Sequence, residues 1–493
     1  MRTGTLGISG LSIALLAACT SATPPPADAA SDITTDLTAP ADAADATVDA
    51  KVLPPWPHEL PAASAMGSPR GLTTARVIVH SHSVHSHDAC DGNPYVDGGP
   101  NEPCLQSFRR AMCRARIDAV FLTEHAGLMA EGSFERVMQT RAGDEPVMEG
   151  GALVGYWTRC DDGHRTLWLP GAENELMPLG LRRHPDRVNG SLDAAYHADD
   201  AAGAQRFREA GALVAVAHVE QRSIEELRAV RPDIVEVYNV HANLAPNIAL
   251  QANPVANNGQ ALVDTLRFIG RSNPLEPDLA FLAFFAENTS DLGKWAQLWG
   301  DGRNVPGVAA SDAHENTFTA VMSDGERGDS YRRIFRFFSN EVLVRGALTR
   351  ESVMASLARG SAYVAFEALG TPVGFSCAAR TRDGMSHEMG STVRMADAPS
   401  LVLRGPALHA PLAGAPTPRV EMRVYRAEGD RWTMAQRWED PAAMGDIQWV
   451  IPAAGVYRVE VRMVPEHARA YLPGMEQLVR DVPWIYGNPI RVE

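Results

Sequence analysis

One pattern recurs along this chain and limits what it can fold into: a run of about five apolar residues, then residues that bind metals, then a loop. The stretches are "VIVHSHSVHSHDACDG" from Val77 to Gly92, "DAVFLTEH" ending at Glu124 and His125, "RTLWLPGAENE" carrying Glu173, "GALVAVAH" ending at His218, and "NVPGVAASDAH" carrying Asp312 and His314. "PDIVEVYN" has the same shape and carries Glu236 and Asn239. Uninterrupted apolar runs suit strands covered on both faces, the condition of a parallel sheet flanked by helices. The segments between them, "CLQSFRRAMCRAR", "DAAGAQRFREAG", "SIEELRAV" and "NGQALVDTLRFIG", read as helices. Alternating strands and helices with chemistry at the strand ends predict an α/β fold, a β/α barrel whose site lies at the C-terminal rim.

Imidazole donates a ring lone pair near neutral pH, and residues two apart on a strand project to one face, so His80 and His82 can reach one ion. His85 reads as a plain loop residue and Glu124 as a solvated one. A single His at a strand end is an ordinary structural residue; recurrence of His, Asp and Glu at the same place in successive elements points to a metal-lined rim. Mixed imidazole and carboxylate donors suit Zn, Mn or Fe, and the lack of a Cys pair at ligand spacing argues against structural zinc.

The ends of the chain read differently. "MRTGTLGISGLSIALLAACTS" joins one Arg to an apolar run too short to span a bilayer, then Leu16-Ala17-Ala18-Cys19. It resembles a bacterial lipoprotein signal, with residues 1–18 removed and Cys19 acylated. An exported lipoprotein, anchored to a membrane in the periplasm or at the cell surface, is the expectation. Residues 19–65 are rich in Ala, Pro, Asp and Thr and read as a disordered tether. From Thr371 to Glu493 short runs such as "RVEMRVYRAEG" and "GVYRVEVRMV" alternate apolar with polar residues, predicting an all-β, sandwich-like domain after a metal-binding domain over residues 70–370.

Net charge is −15 with no basic cluster to neutralise a phosphate backbone, so a small-molecule substrate is the expected partner and nucleic acid is not. Of 6 cysteines, five remain after Cys19. Cys90 and Cys104 bracket a Gly/Pro/Asn-rich loop that a disulfide can close, and the odd count leaves at least one thiol over.

The motifs together resemble the PHP superfamily, named for polymerase and histidinol phosphatase, in its exported, carbaryl-hydrolase-like branch. The resemblance covers roughly residues 76–367. It rests on His80-Ser81-His82-Ser83 with Ser86-His87-Asp88, Thr123-Glu124-His125 in place of Thr-Asp-His, Gly171-Ala172-Glu173, Ala217-His218 and Asp312-Ala313-His314. The likeness implies a distorted seven-fold β/α barrel with two or three divalent ions. His80, His82, Glu173 and Asp312 would hold one ion, with Glu173 bridging to a second on His218. A third would use His125, His314 and Asp88, with His87 as the alternative to Asp88. Family members add a His after Gly-x-Glu, for which His184 and His197 are the candidates here. Glu173, Asp312 and His218 become the catalytic centre of a hydrolase that turns a metal-bridging hydroxide on phosphoesters, or on carbamates and esters. Arg182, Arg183, Arg222 and Asn239 are candidates to hold substrate. The competing expectation is a non-catalytic metal-binding or surface-interaction lipoprotein.

Overall fold

The computed structural model describes residues 53–138, 140–244 and 258–493. The expected signal, Cys19 and residues 20–52 of the expected tether lie outside the described residues. Pro55–Glu493 pack as one compact unit. The end of the stretch expected as tether is part of it: Trp56, Leu60 and Ala63 are buried, and Trp56 stands edge-on to Tyr471 at 5.1 Å. An aromatic ring and a leucine supply there the apolar area that the Ala/Pro/Asp composition upstream lacks.

The fold is mixed α/β, with more strands than helices and one large sheet of both parallel and antiparallel pairs. The first half contributes β1 (Thr73–Ile78), β2 (Ala119–His125), β3 (Glu145–Glu149), β4 (Ala152–Arg159), β5 (Arg165–Glu173), β6 (Met177–Leu179), β7 (Leu213–Val216), β8 (Ile234–Asn239) and β9 (Gly307–Ala310). β1, β2 and β5 run parallel, as do β7, β8 and β9. The short β6 joins the two sets by antiparallel pairing to β5 and β7. Past β9 a parallel bridge couples Ala313 to Ser81, just beyond β1. Strict strand–helix alternation was the expectation; the antiparallel members arise because the β3–β4–β5 meander and the β5–β6 turn carry no helix between strands.

β10 (Ser339–Val344) and β11 (Ala362–Ala365) extend the sheet from β1 with antiparallel register. Helices α1 (Glu102–Arg114), α2 (Ala201–Glu209), α3 (Ile224–Val230), α4 (Thr289–Gly300), α5 (Tyr331–Phe337) and α6 (Arg350–Arg359) cover it. α3 starts on a reciprocal capping box between Ser223 and Glu226, and α1 starts at Asn101, whose side chain accepts from Cys104 N. One core gathers alternate residues of the strands, among them Val77, Val79, Phe121, Leu167, Leu169, Ala215, Ile234 and Val308.

The C-terminal segment is β-rich. β12 (Ser376–Arg380), β13 (Ser386–Glu388), β14 (Ser400–Arg404) and β17 (Asp446–Val450) form a small antiparallel sheet. β15 (Arg419–Glu428), β16 (Arg431–Glu439), β18 (Gly455–Val464), β19 (Val482–Gly487) and β20 (Ile490–Val492) belong to the large sheet, where β19 pairs with β11. No described helix is long and apolar enough to cross a membrane.

Candidate metal centre

Register gathers the expected ligands. In the β2–β5 pair His125 stands opposite Glu173. Beyond β1 and β9, Asp312 N donates to His80 O at 3.1 Å and His82 N to Ala313 O at 3.0 Å, which sets Asp312 beside both histidines. His218 and Asp312 adopt left-handed backbone, φ 50° and 49°. That conformation costs a non-glycine residue roughly 1–3 kcal/mol and persists only where the surroundings over-determine it.

Five imidazoles share one arrangement. His80 Nδ1 lies 2.7 Å from Glu236 Oε1, His82 Nδ1 2.7 Å from Ser86 Oγ, and His314 Nδ1 2.9 Å from the Asp312 carbonyl. His125 Nδ1 lies 2.8 Å from Glu173 Oε2 and His218 Nδ1 3.2 Å from Glu220 Oε1. In the neutral form of each ring, an acceptor at Nδ1 assigns the proton there and leaves Nε2 with its lone pair. Those Nε2 atoms converge: His80 and His82 approach to 3.0 Å, His125 and His314 to 3.4 Å. Asp312 Oδ1 is 3.2 Å from Nε2 of both His80 and His82, and its Oδ2 is 3.5 Å from His218 Nε2. Glu173 Oε1 lies 3.9 Å from His218 Nε2, and Asp88 Oδ1 3.2 Å from His125 Nε2.

Burial opposes charge on these rings, but their carboxylates outweigh it in three of them. Asp312 and Glu236 hold His80 well above its ordinary value, Asp88 and Glu173 push His125 up to about 10, and Glu220 and Asp312 push His218 up to about 10. His82 is driven well below its ordinary value by burial and by His314 and His125. Burial disfavours the Glu173 carboxylate, yet His125, His80 and His218 bring it down to about 2. Facing lone pairs at 3 Å repel unless a proton or a cation lies between them, so the centre is built to hold positive charge.

A divalent ion fits these donors. His80/His82/Glu173, His80/His218/Asp312, His82/His125/His314 and His87/Asp88/His125 each bring one ligand atom per residue within 4.8 Å of the others. Asp88 Oδ1 is buried and faces Nε2 of both His125, at 3.2 Å, and His314, at 3.4 Å, where a shared cation would sit between them. A fifth group, His58/Glu276/Asp278, does not fit: Arg332 and Arg333 grip Asp278 at 2.6–2.8 Å and repel a cation.

Behind the ligands stand residues that sequence reasoning missed or misread. Glu124, read as solvated, is fully buried at 0% exposure and accepts from Ser83 N, Ser83 Oγ and Ser86 Oγ, so it fixes the loop that carries His82 and Ser86. Burial, against those hydrogen bonds, raises it to about 6. Glu236 orients His80 and also accepts from His218 N and Asn239 Nδ2, which makes Asn239 a brace. Glu220 had only its place two residues past His218 as a signal.

Other candidates lie elsewhere. His85 bonds the Tyr95 hydroxyl and belongs to none of the ligand groups. His184 bonds Tyr196 and the Gly132 carbonyl, and His197 bonds Asp193; neither reaches the cluster. Arg182 pairs with Glu149 and Arg183 with Asp186, both on exposed surface. Arg222 pairs with Glu175, two residues past Glu173.

No family model matches the sequence, and no curated protein matches it. Among solved structures, PsfC from Pseudomonas syringae PB-5123 is similar over 57% of this chain and 88% of its own, with 14% identity and a TM-score of 0.30, a level that supports no argument about fold or function.

Proposed function

We propose that this chain is a metal-dependent hydrolase of phosphoesters, with carbamates or carboxylic esters as the second substrate class, and that it belongs to the PHP superfamily its motifs resemble. The observation that carries the reading is the common orientation of five imidazoles, Nδ1 on a protein acceptor and Nε2 turned inward onto Asp312, Glu173 and Asp88. The ring of pairings from β1 through β9 and back by the Ser81–Ala313 bridge, around a core of alternate strand residues, supports a distorted seven-fold β/α barrel.

In this reading two or three Zn, Mn or Fe ions are held by His80, His82, Glu173, His218 and Asp312, and by His125, His314 and Asp88. Bound there, such ions supply Lewis acidity and an acidified water. The protein supplies position: Glu236, Ser86 and Glu220 lock the tautomers, and Glu124 fixes the His82 loop. Arg222, paired with Glu175 two residues past Glu173, is the arginine that would meet an anionic group if it exchanged Glu175 for substrate. Two disulfides, Cys90–Cys104 and Cys113–Cys160, support an exported setting, as does the lipoprotein-like leader.

The test is metal content together with turnover of p-nitrophenyl phosphate, bis-p-nitrophenyl phosphate and 1-naphthyl N-methylcarbamate by purified protein lacking the leader. Less than one ion per chain in protein never exposed to chelator overturns the metal reading. Metal-loaded protein that turns over none of the panel favours the non-catalytic alternative. Cys19→Ala is expected to move the full chain to the soluble fraction; continued membrane association refutes the anchor.

A further inference from the structure

We infer that a second binding site, for a small organic anion, lies at the end of the sheet opposite the imidazole cluster. A cleft of about 550 Å³ is lined there by Leu213, Asp233 and Val305, at the N-terminal ends of β7, β8 and β9. His218 and Asp312 follow the C-terminal ends of β7 and β9, so the cleft is distinct from the imidazole cluster. The inference does not depend on the hydrolase reading.

The charge of the cleft sets the ligand class. Arg208, Arg231 and Arg303 line it, with Asp233 as its carboxylate. Asp233 is committed: Arg208 Nε reaches its oxygens at 3.0 and 3.2 Å, and Val214 N donates to it at 2.9 Å. Arg231 follows α3 in left-handed backbone, φ 55°; its carbonyl accepts from Arg208 Nη2 at 2.6 Å, and its guanidinium has no carboxylate partner among the described residues. Arg303 Nη2 donates to the Arg228 carbonyl at 3.1 Å, while its Nη1 is buried without a partner. Three guanidiniums less one carboxylate leave two positive charges in excess, in a chain of net charge −15.

A buried donor left unpaired costs roughly 1–3 kcal/mol, a cost that is removed if an anion draws the Arg303 fork outward into the cleft. Guanidinium forks match carboxylate and phosphate oxygens in a bidentate manner. The rest of the wall is apolar, with Leu213, Val230, Pro232, Val305 and Ala358. A cleft of this size with a few converging polar groups suits a small molecule, here one with a carboxylate or phosphoryl head and an apolar body.

The test uses calorimetry on the metal-loaded protein with phenylphosphonate and benzoate, neither of which has a bond for the proposed hydrolase to cleave. At least one of the two is expected to bind at one molecule per chain, more tightly at low salt. Arg231→Gln with Arg303→Gln is expected to weaken that binding by about tenfold or more, and the exposed Arg231→Gln alone by about threefold. Asp312→Asn is expected to leave it unchanged. Should the double variant unfold, Arg231→Gln alone decides. Absence of saturable binding up to about 10 mM overturns the inference. So does binding that survives the arginine substitutions, and binding abolished by Asp312→Asn places the anion at the metal centre instead.

Discussion

Asp312 meets two demands at once. Its side-chain oxygens face the imidazoles of His80, His82 and His218, and its backbone sits at φ 49°, a region that Asp and Asn adopt more readily than alanine. Asp312→Asn keeps the backbone and removes the charge, so nearly all turnover and much of the bound metal are expected to go while the thermal midpoint stays near wild type. Asp312→Ala is expected to lose a further 1–2 kcal/mol or so of stability from backbone strain. His85→Ala, whose ring meets the Tyr95 hydroxyl and belongs to none of the ligand groups, is expected to keep activity. Turnover and metal content measured under identical loading decide; wild-type rates in Asp312→Asn, or none in His85→Ala, refute the assignment. His467 carries a pH prediction outside the centre. Its Nε2 donates to the Leu369 carbonyl at 3.0 Å, Nδ1 is buried without a partner, and burial lowers the group to about 4. The unfolded chain takes up this proton near pH ~6.5, the folded protein only near 4, so stability is full above 6.5 and falls as pH drops through that window. Relative to His467→Gln, wild type is expected to lose about 3 kcal/mol between pH 6.5 and 4. A pH-independent difference in denaturant midpoints would contradict the burial of a neutral ring.

At the scale of elements, the strand ends were legible because a strand's direction is set by its pleat and an apolar run announces its length. That suffices to single out His80, His82, His125, Glu173, His218, Asp312 and His314, which the fold brings into neighbouring ligand groups. What holds them was not legible: Ser86, Glu124 and Glu220 act through hydrogen bonds whose partners depend on how separate elements meet, and Glu124 looks like any polar residue ending a strand. The antiparallel β6 escaped for a related reason, since three residues carry too little periodicity to assign. The Cys90–Cys104 bridge was legible as a possibility from its Gly/Pro-rich loop, whereas Cys113–Cys160 spans 47 residues and needed the fold to bring its ends together. Both bridges start on α1, and Cys90 N also donates to the His314 carbonyl at 2.9 Å, so the first bridge ties helix, histidine loop and Asp312 loop into one unit. Opening a loop of this length is worth about 3 kcal/mol. Cys90→Ala with Cys104→Ala is therefore expected to lower stability by about that amount and to weaken metal retention as well. An unchanged metal content beside lowered stability would separate the bridge from the site.

Across the whole molecule, the change of texture near Thr371 marks new strand chemistry, while the sheet itself continues through it. β19 pairs with β11, Tyr363 opposite Gly487 and Ala365 opposite Ile485, and Trp484 is fully buried in a core shared with Phe366 and Leu369. Asn488 completes the junction. Its Oδ1 accepts from Gly307 N at 2.7 Å, and its Nδ2 donates to the carbonyls of Gly307 at 3.1 Å and Ala362 at 3.0 Å. Alternation of apolar and polar residues predicts strands but says nothing of an amide reaching between two other strands, so the role of Asn488 is visible only in the assembled sheet. Because Gly307 opens β9, the strand that leads to Asp312, Asn488 is one of the links between the C-terminal segment and the imidazole cluster. Asn488→Ala leaves buried backbone groups of β9 unpaired, at roughly 1–3 kcal/mol each, and is expected to cost about 3 kcal/mol with a loss of metal affinity. Met434→Ala, on an exposed strand, serves as the control and is expected to change neither. A chain ending at residue 370 is expected to lose cooperative unfolding, because β11 and its aromatic neighbours are then stripped to an open edge. If that shortened chain instead folds and keeps its metal, the first sheet is self-sufficient and the brace at Asn488 is dispensable.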